Sequence, residues 1–183
     1  MKPYLPLTVE YALLGFLYQQ PRHGYEIHQQ LLSSAGVGLI WRVKQSQVYT
    51  LLNKLEQNGY VTAVTETGDA YPPRKILHLT PSGETAFFNW LQTPVPQAHK
   101  VRQEFMAKLY FAVQIGTPAA MTLITSQRQK CQAWLALSEE QAATFSAEQR
   151  FEWLLYQFRR GQIEAMLQWL DRCEQALSAP VPL

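Results

Sequence analysis

Two prolines spaced by one residue, in Thr93-Pro94-Val95-Pro96-Gln97, forbid a continuous helix and favour extended backbone. The chain of 183 residues must therefore organise itself on either side of that seam. The two sides differ in pattern. Before it, helical periodicity gives way to short β-rich segments and then returns; after it, every segment has helical spacing. This predicts a head over 1–92, a proline-containing linker over 93–99 and an α-helical domain over 100–183. Hydrophobic residues make up 47% of the chain and charged residues 16%, with five tryptophans, enough apolar matter for packed cores.

In the head, the apolar spacing of Tyr11, Leu14, Phe16 and Leu17 predicts a helix from Thr8 to about Gln19, stopped by Pro21. A second helix follows His23-Gly24, with Tyr25, Ile27, Leu31 and Leu32 facing inward, and Gly36-Val37-Gly38 closes it. The third is predicted to start near Ser46 as its cap and to run to Gln57, with Asn58-Gly59 as its stop. At 100° per residue, Val48, Leu51, Leu52 and Leu55 form one apolar stripe, and Thr50, Asn53 and Gln57 point the opposite way. Gln47, Tyr49 and Lys54 flank them. Two strands, YVTAVT and ILHL, then enclose the stretch ETGDAYPPRK as a hairpin with a long loop. Thr80-Pro81 supplies a cap and a first helical residue for a further helix through Phe87, Phe88, Trp90 and Leu91.

Three helices followed by a hairpin is the order of a winged helix-turn-helix, whose third helix enters the DNA major groove. The predicted fold is thus mainly α with a small two-stranded β wing. Its net charge is only +2, so nucleic-acid binding must come from a local patch. The third helix and wing supply one. Gln47, Thr50 and Asn53 offer donors and acceptors to base edges, and Ser46 and the helix amides suit a phosphate. Lys44, Lys54, Arg74 and Lys75 lie at the ends of helix and wing, where phosphate contacts set register. Gln45 lies close to the groove, and the Tyr49 hydroxyl either reaches a phosphate or packs beside the core.

After the seam, helices are predicted over about 100–115, 118–137 and 147–177. The last, about thirty residues long, carries an apolar stripe through Phe151, Leu155, Phe158, Met166, Trp169, Leu170 and Cys173. A stripe that long suggests an extended partner, and Phe151, Leu155, Phe158, Arg159 and Leu170 are the candidate dimer contacts. Glu152 and Arg159 fall within the stripe and either snorkel to water or pair across subunits. Trp134, Trp153, Trp169 and Phe158 form either an effector pocket or core and interface.

LLGFL in the first helix, HGYEI (His23 to Ile27), SQVYTLLNKLEQNGYV (Ser46 to Val61) and RKILHLTPSG (Arg74 to Gly83) resemble the PadR-like family of transcriptional regulators. EFMAKLYF and RRGQIEAMLQWL extend the resemblance over nearly the whole chain. It implies a dimeric regulator whose C-terminal helices pair and whose response to a small molecule adjusts DNA affinity. Two positions depart from the family's pattern: Ile76 and Leu77 stand where aromatic residues are usual, and Lys44-Gln45 replaces a small or proline-containing approach to the third helix. The expected partners are double-stranded DNA carrying an inverted repeat, a second copy of the chain, and a small aromatic or hydrophobic effector.

Other classes find little support. GxSxG, HExxH, GxxxxGK[ST] and GxGxxG are all missing. His23 and His28 do not share a helical face, His78 and His99 lack companions at ligand spacing, and Cys131 and Cys173 form no CxxC pair. No metal and no cofactor are expected. Glu10 interrupts the apolar start, and no stretch approaches the roughly 18 apolar residues of a membrane span. A cytoplasmic repressor is the resulting expectation. The alternative, a small-molecule sensor or interaction module without DNA binding, sits poorly with four basic residues at the helix and wing.

Overall fold

The computed structural model describes residues 8–33, 35–68 and 71–179. The part of the apolar start before Thr8 lies outside them, as does Asp69-Ala70 in the stretch read as a loop. The elements are α1 (Thr8–Gln19), β1 (Arg22–His23), α2 (Gly24–Leu32), a 3-10 turn (Gly36–Leu39), α3 (Gln45–Gln57), β2 (Val61–Gly68), β3 (Tyr71–Leu79) and α4 (Pro81–Gln92). A second 3-10 turn (Ala98–Lys100) and a π turn (Val101–Phe105) lead into α5 (Met106–Ile115), α6 (Thr117–Ala142) and α7 (Arg150–Ser178). The fold is mainly helical with one small antiparallel sheet.

The sheet is larger than periodicity suggested. β2 and β3 continue through most of the presumed loop, with Glu66 opposite Arg74, and Arg22-His23 adds a third strand on the far side of β3. Two residues are too few to show a period, and only the antiparallel ladder with Ile76 and Leu77 makes them a strand. The cap of α3 lies two residues earlier than predicted, and the helix begins at Gln45. Lys44 takes the N-cap position and Ser46 lies inside the first turn. Its end follows expectation: the Tyr60 amide donates to the Leu55 carbonyl at 3.0 Å, the Gly59 amide to Glu56, and Gly59 adopts φ +75°. That is a Schellman stop, which favours glycine at the left-handed position. Thr80 also caps as predicted, its hydroxyl oxygen accepting from the Gly83 amide at 3.0 Å.

Two compact units result, one of 1–92 together with 102–111, the other of 93–101 with 112–183. The first is built around α1, whose residues Ala12 to Leu17 are all buried. A helix apolar all round belongs at a centre, and α1 contacts α3, α4 and β3. Residues 102–111 join it because Phe111 sets its ring edge-on against Phe16 at 5.4 Å and Phe87 at 5.6 Å. Lys108 is buried there as well, pairing with Glu104 at 3.0 Å and lying 5.2 Å from the Trp90 ring centroid. Burial pulls its pKa below the ordinary lysine value, and Glu104 opposes that pull. The expected boundary thus does not divide the chain into consecutive pieces.

In the second unit the seam itself is anchored. Val95 is buried, and its amide donates to the buried Gln127 carboxamide at 2.7 Å. α6 and α7 run antiparallel, since Arg128 meets Asp171 and Glu174 while Ser138 and Gln141 share a hollow with Glu152 and Tyr156. The seam of α7 toward its own chain is Tyr156, Ile163 and Leu170, a seven-residue repeat.

Phe111→Ala should destabilise the first unit by about 3–5 kcal/mol, as large-to-small aromatic changes in cores do. A fragment ending at Gln92, lacking Phe105 and Phe111, should unfold at lower urea than the same unit in the full chain. Equal midpoints would show that 102–111 adds nothing to that core.

Candidate nucleic-acid interface

α3 is an amphipathic helix seated by Val48, Leu51, Leu52 and Leu55, all buried. Its outer surface presents Gln45, Ser46, Gln47, Tyr49, Thr50 and Asn53, all exposed. No acidic residue occupies its first turn, so the positive end of the helix dipole and the unpaired first amides are left to face an anion. Lys44 stands exposed at that end. The Thr50 hydroxyl donates to the Ser46 carbonyl at 2.9 Å, so toward a base edge its oxygen offers an acceptor.

Histidines pin both ends of this surface. His28 Nε2 lies 3.2 Å from the Val43 carbonyl, just ahead of α3, and His23 Nδ1 lies 2.9 Å from the Lys75 carbonyl on β3. In each case the ring N–H is the donor. His23 also accepts the role of N-cap to α2, its amide donating to Glu26 at 2.7 Å. One residue therefore holds the start of α2, the added strand β1 and the wing together.

Between α2, α3 and β3 lies a groove of about 640 Å³, lined by Tyr25, Tyr49, Asn53, Arg74 and Lys75 among others. Tyr25 is 43% and Tyr49 41% exposed. Gly24 makes this approach possible, because a Cβ there would lie 2.8 Å from the Tyr49 ring. Arg74 and Lys75 are exposed on the wing side. Lys75 is 3.6 Å from Glu56 across the groove, and the Lys54 ammonium lies 3.3 Å from the Glu10 carboxylate.

The profile of the "Transcriptional regulator PadR-like family" matches residues 13–89, and that of "Virulence activator alpha C-term" matches 101–178. The chain is 34% identical over 129 residues to the negative transcriptional regulator PadR of Bacillus subtilis (strain 168), covering 70% of each chain. It belongs to the PadR-like family of transcriptional regulators. A probable transcriptional regulator of Mycobacterium tuberculosis, Rv1176c, is 24% identical, with 93% of this chain and 98% of that one covered. A solved structure of B. subtilis PadR with operator DNA matches at 26% identity and a TM-score of 0.48, and another with p-coumaric acid at 26% and 0.44; each covers 94% of this chain and 100% of that one.

In this PadR-like regulator, the structure brings together nearly all of the residues singled out on α3 and the wing. It corrects two inward assignments on α2, where Tyr25 and Leu32 are exposed while Ile27 and Leu31 are buried. Tyr25, His23 and Glu10 were not among the site candidates. His23-Gly24-Tyr25 was legible as a motif, but its place beside the wing depends on β1 joining the sheet. Among the described residues no His, Cys, Asp or Glu cluster has metal-site geometry.

Of the candidate dimer contacts, Phe151 is 72% and Phe158 63% exposed, Arg159 is exposed and Leu155 half-buried. Leu170 is buried by its own chain and has no surface left to offer. The long apolar stripe is thus two faces. Its C-terminal part joins the helix pair, whereas Phe151, Leu154 and Phe158 stand out at the other end.

Asn53→Ala should relax base preference at one position per half-site, at about 1–3 kcal/mol for a bidentate contact. Arg74→Ala should instead weaken binding to every duplex and flatten the salt dependence by roughly one phosphate's share. Binding selections and salt titrations check both: an unchanged motif in the first, or an unchanged slope in the second, removes that residue from the interface.

Proposed function

We propose that this PadR-like regulator is a homodimeric, sequence-specific DNA-binding repressor that inserts α3 into the major groove and lays the β2–β3 wing along the backbone. The observation that carries the reading is the outer face of α3: Gln47, Thr50 and Asn53 are exposed, polar and uncharged, with the cation Lys44 at the start of the helix and Arg74 lining the same groove as Asn53. Uncharged donors and acceptors read bases, and flanking cations fix register on phosphates. The residues assigned to DNA are Lys44, Gln45, Ser46, Gln47, Tyr49, Thr50, Asn53, Arg74 and Lys75, joined by Tyr25. Such a regulator acts where the genome is, which places it in the cytoplasm.

Dimerisation is assigned to the N-terminal half of α7. Phe151, Leu154 and Phe158 lie on one face by helical spacing, each more than 60% exposed. Two copies would place two heads on half-sites about 34–36 Å apart, one turn of DNA. The effector is assigned to the helical unit, where a hollow of about 420 Å³ is lined by the apolar Trp134, Leu137 and Ile163 together with the polar His99, Arg159 and Gln162. A lining that mixes apolar side chains with a few polar groups suits a small aromatic ligand. Coupling of such a ligand to DNA affinity typically amounts to about 1–3 kcal/mol.

Selection of bound duplexes from a random pool tests the reading, and an inverted repeat is the expected product. Recovery of no enriched sequence would sink it. Leu154→Glu with Phe158→Glu should yield a folded monomer, because both side chains are exposed in the single chain. Its affinity for the selected repeat should fall by roughly two orders of magnitude, the range that linkage of two heads supplies. A doubly substituted chain that still sediments as a dimer would move the interface elsewhere.

A further inference from the structure

We propose that Glu10 is a positioning residue for α3: its buried carboxylate holds the Lys54 ammonium to the flank of α1 and so withdraws that cation from the phosphate interface. The inference rests on the DNA-binding reading of α3 given above. Glu10 lies in the first turn of α1 and its side chain is 0% exposed, with Lys54 Nζ at 3.3 Å and itself 43% exposed. A carboxylate taken fully out of water is costly unless a cation stays with it. Lys54 reaches outward into solvent at little cost, but leaving Glu10 would take a cation away from that buried charge. Of the two, the lysine is the one held in place.

Position along α3 gives the pair its consequence. Lys54 and Glu56 are two residues apart and project about 200° from one another, on opposite flanks of the helix. Lys54 is held by Glu10 on the α1 side, and Glu56 faces Lys75 at 3.6 Å on the wing side. Opposite charges on the two flanks therefore engage opposite partners, and Asn53 stands between them on the outer face. Rotation of α3 about its axis would pull one pair apart whichever way it turned. The buried member makes the α1 side the stronger restraint, because an exposed pair such as Lys75 with Glu56 contributes little. The orientation of Asn53 and Thr50 toward base edges thus depends on a carboxylate that touches no DNA.

Salt titration of the full-length chain on its selected duplex and on a random duplex tests this, with thermal midpoints measured alongside. Each phosphate neutralised by a cation adds roughly 0.9 to the slope of log K against log salt. In Lys54→Met the slope should equal the parent's while the midpoint falls, since the ion pair with Glu10 is lost. In Glu10→Gln the released ammonium should reach a phosphate: the slope steepens by about 0.9, and preference for the selected over the random duplex drops several-fold. Glu10→Gln with Lys54→Met should return the slope to the parent's. The proposal is overturned if Lys54→Met flattens the slope by about 0.9 at an unchanged midpoint, for Lys54 is then a phosphate contact. It is also overturned if Glu10→Gln folds and binds with the parent's slope and preference. Should Glu10→Gln fail to fold, the Lys54→Met slope and midpoint decide alone. A parent chain that binds neither duplex removes the DNA reading and this proposal with it; a parent that binds while the variants contradict the scheme removes only the proposal.

Discussion

The contact of Phe111 with Phe16 and Phe87 is the packing event on which the N-terminal unit depends. It draws residues 102–111 back across the seam to complete the burial of α1. Without those rings, the side of α1 carrying Phe16 would face water, and the hydrophobic effect gives no reason for a helix so uniformly apolar to stay there. Around α1 are arranged the helix that presents the polar surface, the strand that backs it and the helix that follows the wing. The buried Lys108 beside Glu104 and Trp90 belongs to the same layer, a charged group kept at the centre by an ion pair and an aromatic face.

The polar surface of α3 is held by groups that do not belong to it. His28 fixes the carbonyl before its first turn, the Schellman stop at Gly59 ends it, and ion pairs flank it. The wing is held in turn by His23, whose backbone joins the sheet while its ring binds the Lys75 carbonyl. The orientation of α3 is thus supplied by the scaffold, while Gln47, Thr50 and Asn53 remain exposed and uncommitted to the core.

The helical unit divides its longest helix between two tasks. Tyr156, Ile163 and Leu170 recur every seven residues and close the pair with α6, whose Arg128 binds Asp171 and Glu174. Phe151, Leu154 and Phe158 are rotated away from that seam and remain exposed. Leu170 and Phe158 look alike in a hydrophobic pattern, yet one is covered by its own chain and the other is not. Arg159 and Trp134, one a candidate dimer contact and the other a candidate for an effector pocket by sequence, border one hollow.

Local chemistry decided what the sequence alone could reveal. The stripe Val48, Leu51, Leu52 and Leu55 required an amphipathic helix, Asn58-Gly59 required its stop, Thr80-Pro81 began the next helix, and the order of helices and strands required a winged fold. These are properties of neighbours within one or two turns, so periodicity and turn residues carry them. Only the tertiary structure decided that Arg22-His23 is a strand, that the wing strands run through the presumed loop, that Tyr25 faces outward, and that 102–111 belongs with the head. The same holds for the neighbour of Lys54, since the Glu10 carboxylate that lies 3.3 Å from its ammonium comes forty-four positions earlier. A backbone ladder, an aromatic core and an ion pair each join residues far apart in the chain, and no local pattern records which distant partner a residue will meet.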